Sequence, residues 1–113
     1  MRRFIYVTTQ FEGVHRYKDA PDEVSFLRDY HRHIFKVKLA IEVMHNERDI
    51  EFIMLKHKLE LYLGANYDNL CFEKSCEAIA EDIVGVFGEM YSNRKIKCEV
   101  SEDGENGAIL ESE

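Results

Sequence analysis

The run His31-Arg32-His33-Ile34-Phe35-Lys36-Val37-Lys38-Leu39-Ala40-Ile41-Glu42-Val43 decides the fold. Read with the two-residue period of a strand, it puts His31, His33, Phe35, Val37, Leu39, Ile41 and Val43 on one face. Arg32, Lys36, Lys38 and Glu42 mark the other. A half-buried antiparallel strand alternates in this way, apolar toward a core and polar toward water. Upstream, Phe4-Ile5-Tyr6-Val7-Thr8-Thr9-Gln10-Phe11 is rich in β-branched and aromatic residues. The same period carries Ile5, Val7, Thr9, Phe11, Gly13 and His15 to one face. A hairpin of these two strands is expected, joined by a charged loop from Arg16 to Asp29 around the only proline, Pro21.

After a polar turn from His45 to Asp49 the period becomes helical. Phe52, Leu55, Leu59 and Tyr62 recur at spacings of three and four, which predicts a helix over about Ile50 to Leu63, with Gly64 placed to stop it. Cys76, Ile79, Ala80, Ile83, Val86, Phe87 and Met90 predict a second helix over roughly Phe72 to Tyr91. Ile96, Cys98, Val100 and Glu102 alternate again, and a turn through Asp103-Gly104-Glu105-Asn106-Gly107 leads to a short last strand, Ala108-Ile109-Leu110. The expected architecture is α+β, an antiparallel four-stranded sheet with two helices on one face, in the order ββααββ. The whole chain, residues 1–113, reads as a single domain. One sheet face is left without helical cover, and self-association would cover its apolar part.

The composition is that of a globular protein, 45% hydrophobic and 33% charged. A net charge of −7 argues against a nucleic-acid partner, which a basic surface would bind. No apolar run approaches the ~20 residues needed to span a bilayer, and no secretory signal pattern opens the chain, so no membrane partner and a cytoplasmic setting are expected. Cys71, Cys76 and Cys98 are odd in number and form no CxxC pair, which fits reduced thiols; Cys98 reads as a core filler. Arg28, Arg32, Lys36 and Lys38 lie near the histidines in sequence and offer a local site for an anionic group.

His31 and His33 stand about 7 Å apart along one strand face at ~3.3 Å per residue. His15, on the neighbouring strand, can complete a set of three. Three neutral imidazoles with a fourth position for water or substrate form a catalytic Zn²⁺ site, in which the ion serves as a Lewis acid. The same pattern also fits ordinary exposed strand histidines. His45 and His57 fall outside this geometry.

Phe11-Glu12-Gly13-Val14-His15 followed by His31-Arg32-His33-Ile34-Phe35-Lys36-Val37 resembles the 6-pyruvoyltetrahydropterin synthase family, which includes the 6-carboxytetrahydropterin synthases of 7-deazaguanine (queuosine) biosynthesis. Ile50 to Lys56, Ser75-Cys76-Glu77 and Val100-Ser101-Glu102 resemble its first helix, second-helix opening and closing hairpin. The resemblance implies a T-fold, zinc at His15, His31 and His33, and a homo-oligomer (trimer or hexamer). It also implies a lyase acting on dihydroneopterin triphosphate or a related pterin, with Glu102 taking the guanidine-like edge of the ring in a bidentate fork and Glu77 supporting it. The departures are specific. The family's catalytic cysteine falls at Leu27, the variant glutamate at Arg28, the Asp-His pair at Gly64 and Ala65, and the glycine between the paired histidines at Arg32. Asp29 is then the leading candidate for general acid–base work, ahead of Glu23, Asp22 and Tyr30, because it shares the parity of His31. A non-catalytic binding module for a pterin or purine ligand is the alternative, and a structural protein with a stabilising metal a third reading.

Overall fold

The computed structural model describes residues 1–113. Two long strands, β1 (Arg3–His15) and β2 (His31–Val43), pair antiparallel along their whole length, Arg3 opposite Val43 and His15 opposite His31. The connection between them contains a short 3-10 helix, Asp22–Arg28, where the sequence suggested only loop. Helix α1 spans Phe52–Asn66, and Glu51 caps it by accepting the backbone N–H groups of Ile53 and Met54. Those two N–H groups, the first first and then the second, hold the Glu51 carboxyl below the usual range. Gly64 does not end this helix but lies inside its last turn, and the chain leaves at Tyr67. Helix α2, Cys76–Met90, opens on Ser75, whose hydroxyl accepts the Ala78 N–H.

A two-residue strand, β3 (Cys71–Phe72), separates the helices and pairs parallel with Val14 and His15 at the end of β1. Strands β4 (Ile96–Glu102) and β5 (Asn106–Glu111) complete a sheet of order β3-β1-β2-β4-β5. The four-stranded antiparallel T-fold sheet with ββααββ order expected from the sequence is therefore corrected: the sheet is mixed, five-stranded and curled into a half-barrel, with three helices counting the 3-10 turn. The physical reason is the open edge of β1. Its backbone groups near Glu12 and Val14 draw in the passing chain, Asn69 N–H bonding Glu12 O at 2.7 Å and Val14 N–H bonding Leu70 O at 3.1 Å. Two residues carry no period, so such a strand leaves no pattern to read.

The alternation of β1 and β2 is realised as expected. Val7, Phe11, Phe35, Val37, Leu39, Ile41 and Val43 enter a single core with Leu55, Leu59 and Leu63 of α1 and Ile79, Ala80, Ile83 and Phe87 of α2. Phe52, assigned to the apolar stripe of α1, is exposed, and the buried stripe runs through Leu55, Leu59 and Leu63. Cys98 is fully buried, and burial pushes its thiol up to about 12. No helix is long and apolar enough to cross a membrane. The helix-bearing face of the sheet runs out at one end in histidines.

Candidate metal centre

The register of β1 and β2 assembles the site. His15 lies directly opposite His31, and Gly13 opposite His33, so three imidazoles share one end of the core face. Their ring centroids are 4.6, 5.4 and 4.9 Å apart for His15–His31, His15–His33 and His31–His33, and the rings stand near-perpendicular. One ring nitrogen from each lies within 4.8 Å of the other two. Phe35 and Phe72 form the apolar floor, their rings 5.0 and 5.8 Å from that of His15. Gly13 makes this floor possible, because a Cβ there would come within 2.9 Å of the Phe72 ring.

Each imidazole is pinned through Nδ1. His15 Nδ1 meets the Lys74 carbonyl at 2.9 Å, His31 Nδ1 the Asp29 carbonyl at 2.8 Å, and His33 Nδ1 the Asp103 carboxylate at 2.7 Å. All three partners are acceptors, so Nδ1 donates in every ring and Nε2 carries the lone pair. Asp103 is held below the usual carboxylate range by the Ile34 N–H, bonded at 3.0 Å, and then by His33, which keeps it an acceptor. The Nε2 atoms of His15 and His33 are buried and have no hydrogen-bond partner. Unpartnered buried nitrogens are costly, and a cation bound by their lone pairs removes that cost. The three histidines can therefore form a metal site, with donors of the type that holds divalent transition metals.

Glu102 sits over these nitrogens. Its Oε2 is 3.0 Å from His15 Nε2 and its Oε1 3.6 Å from His33 Nε2. Beside it opens a cleft of 450 Å³ whose walls include His15, His31, Glu102, Glu77 and Cys76. The structure thus places both glutamates singled out in the sequence on one cleft, Glu102 directly against the histidines. Burial, followed by the charges of Glu102 and Glu77, pushes the Cys76 thiol up to about 12, so it stays neutral.

Other candidates lie elsewhere. Asp29 is exposed, and it reaches the site through its backbone carbonyl. Arg28 bonds Asp22 at 2.8 Å and the Ala20 carbonyl at 2.8 Å, while Arg32 pairs with Glu12. Lys36 and Lys38 line a wider groove of 910 Å³ that contains none of the histidines. The basic side chains at the cleft are instead Arg16 and Lys74. Neither was visible as a site residue in the sequence, and nor was Asp103. The signal for Asp103 was its turn position beside Glu102, which becomes informative only once β4 is registered against β2 with Phe35 opposite Glu102. No protein-family model and no curated protein matches this chain.

Proposed function

We propose that this chain is a zinc-dependent, pterin-synthase-like lyase acting on dihydroneopterin triphosphate or a related pterin. The observation that carries the metal part is the set of three Nδ1 atoms engaged by acceptors, which leaves three Nε2 lone pairs facing one another. The choice of zinc is supported by three imidazole donors, as in catalytic zinc sites, together with the sequence resemblance. A zinc ion held by His15, His31 and His33 would supply Lewis acidity toward a hydroxyl or carbonyl oxygen that replaces its fourth ligand. The pterin part is supported by the sequence resemblance and by the cleft, where a carboxylate can accept two parallel N–H groups of a guanidine-like ring edge. Arg16, paired with Glu73 at 3.5 Å, and Lys74, paired with Asp82, are the basic groups at this cleft for an anionic tail, in place of the Arg28, Arg32, Lys36 and Lys38 expected from sequence. In this reading the chain works as a homo-oligomer, with Tyr6 and Ile109, 54% and 69% exposed, as apolar surface outside the core.

The second reading, a non-catalytic module for a pterin or purine, is favoured by one observation. The position of the family's cysteine is held by Leu27, which borders the cleft, while Asp29 is exposed and reaches the site through its backbone carbonyl, and Cys76 is held protonated. The two readings separate on incubating the zinc-loaded protein with dihydroneopterin triphosphate, with product analysis alongside equilibrium binding. Loss of the triphosphate and a rearranged or shortened side chain supports the lyase. Tight binding without product supports the module, and neither binding nor product defeats both.

A further inference from the structure

We propose that Glu102 is a fourth ligand of the metal centre, so that the resting site is closed by three imidazoles and a carboxylate. The inference rests on the metal reading above and departs from the ring-anchoring role that the sequence resemblance implied for Glu102.

Each Glu102 oxygen faces the Nε2 of an imidazole already engaged by an acceptor through Nδ1. With Nδ1 of His15 and His33 donating to Lys74 and Asp103, their Nε2 atoms present lone pairs, and carboxylate oxygens stand 3.0 and 3.6 Å away. Two acceptors at such a distance repel unless a cation lies between them. A proton on Nε2 would turn the contact into a hydrogen bond, yet neither nitrogen has a hydrogen-bond partner. At His33 the 3.6 Å separation is itself beyond hydrogen-bond range, and at His15, 3.0 Å away, the carboxylate lies off the axis along which an N–H would point. A tetrahedral ion calls for that offset, since its neighbouring donors subtend about 109° at the metal rather than lying in line. With zinc–nitrogen and zinc–oxygen bonds of about 2.0–2.2 Å, neighbouring donors of one tetrahedron are about 3.3–3.6 Å apart. The observed 3.0 and 3.6 Å bracket that edge closely.

Charge leads to the same place. The Glu102 side chain is only 29% exposed, and its ion-pair partners within 4.0 Å are these two imidazoles, with no lysine or arginine among them. A half-buried carboxylate without a lysine or arginine beside it calls for compensation, which a bound dication would provide. The position is also built in. Glu102 continues the inward parity of Ile96, Cys98 and Val100, and its pairing opposite Phe35 sets it beside His33. A carboxylate committed to the metal is not free to fork onto a ring, so that task passes to Glu77 on the same cleft.

The test uses chelator-stripped full-length protein reloaded with zinc or cobalt(II), comparing wild type with Glu102→Gln, Glu102→Asp and His31→Ala. Wild type is expected to take up one ion per chain and to give the intense visible absorption of four-coordinate cobalt(II). Glu102→Gln is expected to lower zinc affinity at least about tenfold, the smallest loss typical of groups that merely orient a ligand, and to alter the cobalt spectrum. Glu102→Asp keeps the charge but withdraws the carboxylate by one methylene; ligation predicts weaker binding and an altered spectrum, whereas simple attraction predicts neither. Wild-type affinity and an unchanged cobalt spectrum in both Glu102 variants, with metal lost in His31→Ala, would overturn the fourth ligand and leave the triad standing. A wild-type protein that takes up no metal would overturn both.

Discussion

Replacing Asp103 by asparagine separates what orients the metal site from what binds the ion. Asp103 gives one oxygen to each of two donors, Oδ2 to His33 Nδ1 at 2.7 Å and Oδ1 to the Ile34 N–H at 3.0 Å. Asparagine has a single oxygen, so one of those donors must face an NH₂ group. The backbone is left in place, because residue 103 has φ of 59° and asparagine tolerates the left-handed region better than most residues. The substitution therefore removes the charge-assisted bond on His33, or loosens the turn that holds it, without deleting a ligand. Outer-shell partners of metal-bound histidines typically contribute about 10- to 100-fold in affinity, equivalent to about 1.4–2.7 kcal/mol. Asp103→Asn is expected to weaken zinc binding within that range, read by competition against a chromophoric chelator at fixed pH. Far-UV circular dichroism of the metal-free variant should match wild type. Wild-type zinc affinity in a folded Asp103→Asn protein would refute the reasoning, since His33 would then be oriented by something other than this carboxylate.

Two further predictions concern the scaffold. The Arg94 guanidinium, followed by the Met44 N–H, holds the Asp49 carboxyl below its ordinary range, the two bonds measuring 2.7 and 2.8 Å. The stability this contributes is complete above the unfolded pKa of about 4 and drains away as pH falls through the lower folded value; Asp49→Asn should accordingly lower the melting temperature at pH 7 and bring it closer to that of wild type in strong acid. Leu59 of α1 is fully buried, so Leu59→Ala should cost about 2–5 kcal/mol in urea unfolding, while Leu61→Ala, at a position 75% exposed, should stay within about 0.5 kcal/mol of wild type.

The parts of the fold that carry a period were legible and the parts made by tertiary pairing were not. Residues 31–43 announced β2 because from Phe35 onward every second side chain is apolar, and Val37, Leu39 and Ile41 are indeed no more than 1% exposed. Helix α2 was equally plain, although its start moved from Phe72 to Cys76, where the Ser75 hydroxyl supplies the cap. Gly64 misled, because a glycine without a left-handed backbone is only a weak helix position and not a stop. At the site, parity put His15, His31 and His33 on one face, and the register of the hairpin, with His15 opposite His31, brings them together. Arg28 and Arg32 looked equally close in sequence, yet parity turns Arg32 to the far face, where Glu12 takes it.

Orientation is a different matter from proximity, and here the connections between the strands decide. The strand hairpin delivers three rings but leaves each free to turn about its own axis. What fixes His15 is the Lys74 carbonyl, which reaches it because β3 pairs with the last two residues of β1. What fixes His33 is the first residue of the β4–β5 turn, and what fixes His31 is the end of the 3-10 segment before β2. Three separate connections each supply one acceptor, and none has a sequence pattern tied to metal binding. The added strand that overturns the simple four-stranded sheet is thus the same feature that sets the tautomer of the most buried histidine. A substitution that loosens β3, such as one enlarging Gly13 against Phe72, would disturb the metal site from beneath without touching a ligand.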